Sequence, residues 1–110
     1  MNHIIIGGST AEGIEQQLAD AGQEVTRLDQ VLTSSVLESA GIESAAVFLL
    51  TDATEATAIP LAREQNPDIS IIVYSTESIP EFCKPIADMI VHPGAVSNDV
   101  LVEEILAKFA

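Results

Sequence analysis

Five short apolar runs limit how this chain can fold: His3–Gly7, Glu24–Leu28, Ala46–Leu50, Ser70–Tyr74 and Asp88–Val91. Most are rich in Ile, Val and Leu, as strands of a parallel sheet are when both faces are covered. Helical signals separate them. Ala11, Ile14, Leu18 and Ala21 repeat at helical spacing, and Gly22 ends that segment. Ser35-Val-Leu-Glu38 has the form of a capping box, with Gly41 as terminator. Residues 54 to 65 predict a third helix ended by Asn66-Pro67, with Pro60 marking a kink or a later start. Val102, Ile105, Leu106 and Phe109 give a last helix its apolar stripe, after a cap at Ser97 or Asp99. The alternation predicts an α/β fold, a three-layer doubly wound sheet of parallel strands.

Nothing divides the chain, so residues 1–110 are expected to form a single Rossmann-like domain. Apolar residues make up 47% of it, which argues against disorder despite the charge. No apolar run approaches the roughly 20 residues of a membrane span. The start lacks a basic region ahead of an apolar one, so no signal peptide is expected, and the simplest localisation is cytoplasmic. One cysteine, Cys83, excludes an internal disulfide and reads as a small core residue. Seventeen acidic residues against four basic ones give a net charge of −13, spread along the chain. Such a surface repels nucleic acid and anionic lipid, and is what a salt-adapted, halophilic protein carries. Neither nucleic acid nor membrane is therefore an expected partner.

The first βα turn, Gly7-Gly8-Ser9-Thr10 with Gly13, approximates the dinucleotide fingerprint G-x-G-x-x-G. Gly8 and Gly13 take its first and third positions, but Thr10 stands where the middle glycine lets a pyrophosphate approach. Asp29 falls about where a ribose-binding acid is expected, roughly 20 residues on. Gly7, Gly8, Ser9, Thr10, Gly13, Asp29, Thr51 and Asp52 are the candidate cofactor-binding residues, for a nucleotide such as NAD or ATP/AMP. No Lys or Arg adjoins the turn and Glu12 lies just after it, so a turn kept for packing is favoured over a strong phosphate site.

The opening "HIIIGG…G…LADAGQEVTRLD" is similar to TrkA N-terminal domains, the nucleotide-binding RCK modules of potassium transporters and channels. "LTSSVLESAGIESAAVFLLTDATEA…LAREQNPDISIIV" resembles their second half, and "ADMIVHP" their next strand. Compared with that family, a helix and a strand are missing after Asp29, where Leu28-Asp29 runs almost directly into Thr33-Ser34-Ser35. That shortening turns the six-stranded Rossmann order into five strands ordered 2-1-3-4-5, a flavodoxin-like sheet. The resemblance also implies a homodimer. The whole chain is further similar to small stand-alone proteins of halophilic archaea, in "TDATEATAIPLAREQNPD" and "VYSTESIPEF". Some of those are labelled CTP synthetase. The residues oppose that chemistry: the chain has no G-x-x-x-x-G-K-[ST] loop and no partners that would make Cys83 a glutaminase nucleophile.

A fainter resemblance is to phosphoacceptor receiver domains. Asp52 follows the third strand, Ser75 follows the fourth, and His92-Pro93 stands where receivers carry Lys-Pro. Phosphoryl transfer there needs Mg²⁺ held by an acidic pair after the first strand, where this chain has Gly7-Gly8, so a receiver is disfavoured. Asp29, Asp52 and Glu77 could offer oxygen ligands to a divalent ion, but a solvated rim explains them more simply. His3 and His92 are expected at opposite strand ends and suggest no zinc site. Thr51, Thr54, Ser75 and Thr76 offer hydroxyls that turns and caps explain equally well. The expected function is a non-enzymatic regulatory domain with a degenerate nucleotide-binding turn, binding a nucleotide weakly or a protein partner. The alternatives are a pure protein-interaction module, and an enzyme of nucleotide metabolism, which is disfavoured because no nucleophile–base pair can be assembled.

Overall fold

A computed structural model describes residues 2–8 and 12–109. Strands β1 (His3–Gly7), β2 (Glu24–Leu28), β3 (Val47–Leu50), β4 (Ser70–Tyr74) and β5 (Met89–Val91) form one sheet, all parallel, in the order β2-β1-β3-β4-β5. Helices α1 (Glu12–Asp20), α2 (Ser34–Ser39) and α3 (Ala58–Gln65) lie in the first three connections, and α4 (Asn98–Glu104) follows β5. Its last turns, Ile105–Phe109, are π-helical. The expected flavodoxin-like α/β sheet is thus the one observed, with no strand among the described residues between Asp29 and Thr33.

Side chains alternate across each strand. In β1, β3 and β4 both sets are buried, which is why these strands read as continuous apolar runs, whereas the edge strands β2 and β5 are partly exposed. Ile5, Phe48, Leu50, Ile71 and Val73 face α2 and α3 and pack with Leu37, Ile42 and Ile59. Ile4, Ile6, Val47, Leu49, Ile72 and Tyr74 face the other way and pack with Ile14, Leu18, Leu101 and Ile105 of α1 and α4 and the turns that extend it. No helix among the described residues is long and apolar enough to cross a membrane.

The helix ends follow local chemistry. Gly22, at φ +90°, closes α1: its N–H donates to Ala19 O and that of Gln23 to Leu18 O, so two carbonyls the helix leaves open are satisfied. The capping box expected at Ser35 is not formed. Thr33 caps α2 instead, its Oγ1 accepting from Val36 N–H at 3.2 Å. The helix begins one residue before Ser35, and with Val36 at the third position no acidic side chain can return the bond. Helix α3 starts at Ala58, which puts Pro60 in its first turn, where a missing N–H costs nothing. Ser97 caps α4 by accepting from Val100 N–H. Strand β5 starts at Met89 rather than Asp88. The Asp88 carboxylate itself takes the Ile71 N–H at 2.7 Å, while its own N–H donates to Ile71 O.

Candidate functional site

The C-terminal ends of the strands bring the candidate residues together. Gly7 ends β1, and its carbonyl receives both the backbone N–H of Thr51 (2.9 Å) and the Thr51 hydroxyl (3.2 Å). Gly8 has φ +133°, where side chains are strained, and its N–H donates to Leu28 O. A Cβ at Gly8 would overlap Thr51 Oγ1, and one at Gly7 would come within 2.7 Å of Leu32 Cδ1. Gly8 is therefore fixed by its backbone conformation and packing, whereas a Cβ at Gly7 would need the end of the Leu32 side chain to move. Asp52 is exposed, and its carboxylate is engaged within its own turn. Oδ1 accepts from Thr54 N–H (3.0 Å) and the Thr54 hydroxyl (2.6 Å), which caps the 3-10 turn Ala53–Glu55.

A cleft of about 470 Å³ opens beyond β3, β4 and β5, lined by Thr51, Asp52, Ala53, Tyr74, Ser75, Thr76, Glu77, Pro93 and Asn98. Tyr74 anchors one wall. Its hydroxyl donates to Val96 O at 2.7 Å, with Asn98 Oδ1 at 3.1 Å, and burial pushes the phenol pKa up. Ser75 Oγ accepts from Glu77 N–H, and His92 Nδ1 accepts from Gly94 N–H, so both side chains are engaged in their own turns. The charged lining residues are Asp52 and Glu77, and an anionic ligand would meet two carboxylates without a cation.

The sequence-derived candidates divide accordingly. Gly7, Gly8, Thr51 and Asp52 meet at one junction. Gly13 lies in α1, where a Cβ would come 3.3 Å from Asn98 Nδ2. Asp29 accepts from Arg27 Nη1 at 2.8 Å, and Arg27 Nε also reaches Glu15, so this carboxylate is paired away from the cleft. Ser9 and Thr10 lie outside the described residues. Asp52 and Glu77 share the cleft, but no group of three His, Cys, Asp or Glu among the described residues could hold a metal ion. Ala53, Tyr74 and Asn98 are the lining residues sequence reasoning missed. The signal for Tyr74 was present, as the one tyrosine of the chain ending an otherwise aliphatic strand.

The fold is that of response-regulator receiver domains. An orphan response regulator of H. pylori superposes with a TM-score of 0.74 at 18% identity, covering 96% of this chain and 94% of that one. An atypical orphan response regulator, described as having a phosphorylation-independent regulatory mechanism, gives 0.72 at 18% identity over 96% and 92%. The BeF3-activated DrrB receiver domain gives 0.69 at 15% identity over 97% and 96%. No curated protein matches the sequence. The chain belongs to DUF7126, a family of unknown function, whose model matches residues 4–105.

These likenesses correct the family expectation. Neither the TrkA N-terminal/RCK domains nor CTP synthetase is supported, because the structural neighbours are CheY-like receivers. The nucleotide-binding regulatory domain falls with them. The likeness misled because a β-strand, a glycine turn and an amphipathic helix open both Rossmann and flavodoxin-like sheets for the same steric reason. The receiver resemblance, disfavoured for its missing acids, had the right fold.

Proposed function

We propose that this DUF7126 chain, residues 1–110 acting as one domain, is a receiver-like signalling domain that works through protein contact and without phosphorylation. The observation that carries this reading is the state of the β1 end. Receivers need an acidic pair there to hold Mg²⁺, and here the two positions are Gly7 and Gly8, whose side-chain space is filled by Leu32 and Thr51. Asp52, the residue nearest a phosphoacceptor, commits its carboxylate to Thr54, and His92 stands in place of the lysine. The neighbour described as phosphorylation-independent supports the reading by example. Self-association, one of the expectations from sequence, would be one form of such contact.

Incubation with acetyl phosphate and Mg²⁺, followed by intact-mass measurement, tests the proposal. The mass is expected to stay unchanged, and Asp52→Asn to leave the melting temperature within about 3 °C and any partner affinity within about twofold. A phosphoryl adduct on Asp52 would overturn it.

A further inference from the structure

The sheet is covered unequally on its α2–α3 side. Each of the first three connections brings an α-helix, but β4 passes to β5 through residues 75–88, whose helical content is one 3-10 turn, Glu81–Cys83. Pro80 and Pro85 bracket that turn and oppose a longer helix. The consequence is visible on β5. Ile90 is the register partner of Val73, which is 1% exposed, yet Ile90 itself is 50% exposed. Phe82, in the middle of the turn, is 61% exposed. A shallow groove of about 170 Å³ runs between Ile79 and Lys84 on the connection and Ile90 and Val91 on the strand.

Charge says what could cover this surface. Glu77 and Lys84 line the groove, and Lys84 is paired with Glu81 at 2.8 Å, which leaves Glu77 as the uncompensated charge among the groove's carboxylates and ammonium. The chain around it carries a net charge of −13. A second copy would bring the same sign of charge, whereas a basic partner is drawn in. The geometry favours a helix over an added strand, since the faces of parallel sheets are closed by helices and β5 offers three residues of edge.

We propose that the β4–β5 side of the sheet docks a short, basic amphipathic helix of a partner protein, which completes the layer this connection leaves open. Ile90 and Phe82 are the apolar anchors, and Glu77 receives a flanking Lys or Arg. The proposal rests on the reading of the domain as a protein-contact module and names the partner's chemistry.

The probes are a synthetic amphipathic Leu/Lys peptide and a scrambled peptide of identical composition, titrated into the full isotope-labelled chain at about 0.15 M KCl. The amphipathic peptide is expected to bind at least about tenfold more tightly than the scrambled one. It should shift the amides of residues 75–92 and lose that advantage in Ile90→Ser and in Phe82→Ser. Both substitutions are at exposed positions, and unchanged spectra elsewhere would establish that the variants fold. Equal binding of the two peptides would reduce the effect to bulk charge, and shifts centred on another face would place the surface elsewhere. Either result overturns the proposal. So would a dimer without peptide that dissociates in Ile90→Ser, which would assign the face to a second copy. Acetyl phosphate labelling would sink the phosphorylation-free reading whatever the peptides do, while silent peptides would remove this surface alone.

Discussion

The Thr51 hydroxyl occupies the space that a Cβ on residue 8 would need, and Gly8 holds a φ of +133°. The β1 and β3 ends are thereby locked together, with Gly7 O taking two bonds from Thr51. A side chain at position 8 is thus opposed by the backbone and the packing together.

Gly8→Asp should accordingly fail to create a Mg²⁺ site and should destabilise the fold by about 2 kcal/mol or more, from backbone strain and overpacking together. Urea denaturation measures the stability and calorimetric titration the metal. Gly8→Asp protein that is as stable as the parent, or that binds Mg²⁺, would show that the junction can open.

Salt should stabilise the chain. All four of its cations are engaged: Arg27 with Glu15 and Asp29, Arg63 with Asp88, Lys84 with Glu81, and Lys108 with Glu104. Most of the seventeen acidic residues are therefore left to repel one another through solvent. The melting temperature should rise by roughly 5 °C or more between about 0.1 M and 2 M KCl. A flat response would mean that the surplus carboxylates are too dispersed to matter.

The central strands were legible because burial on both faces leaves a continuous apolar run, and β1 and β4 begin and end where their runs do. Caps were less so. Ser35 and Glu38 have the right spacing, but which hydroxyl caps depends on where the chain turns, and Thr33 is placed by that turn. The site was the least legible part. Gly7, Gly8 and Gly13 look like a fingerprint, yet Gly8 is explained by its φ of +133° and by the Thr51 hydroxyl in the place of a Cβ. Such contacts join residues far apart in the chain, and spacing along a sequence does not carry them. The bare side of β5 had left a trace, two prolines and no helical period between Tyr74 and Met89.

Asn66 should be among the most sensitive polar residues. It is buried, and its Nδ2 donates to Ile42 O at 2.9 Å and Ala45 O at 3.0 Å, tying the end of α3 to the entry of β3. Asn66→Ala leaves two carbonyls without that donor and should cost about 2–4 kcal/mol. Asn66→Asp should be no better, since a carboxylate offers no proton to either carbonyl. Urea midpoints of the two variants check this, and a loss below about 0.5 kcal/mol would mean that water replaces the amide.

Alkali should weaken the fold through two identifiable groups. Burial raises the pKa of the Cys83 thiol above its ordinary 9.0 and that of the Tyr74 phenol above 10.0. Each group keeps its proton longer in the folded chain than in the unfolded one. The stability it contributes is therefore complete below the unfolded pKa and is lost as pH rises through the folded value. Stability should be level near neutral pH and decline once pH passes 9, the Cys83 range, and more steeply beyond 10, the Tyr74 range. The chain has one tyrosine, one cysteine and no tryptophan, so each titration can be read alone. Absorbance at the phenolate band should show Tyr74 ionising late and together with loss of structure. Tyr74→Phe should flatten the decline in the higher range, while giving up the hydroxyl's bond to Val96 O at every pH. A phenolate that forms at the ordinary pKa with the fold intact would show that the hydroxyl is open to solvent and that this wall of the cleft is loose.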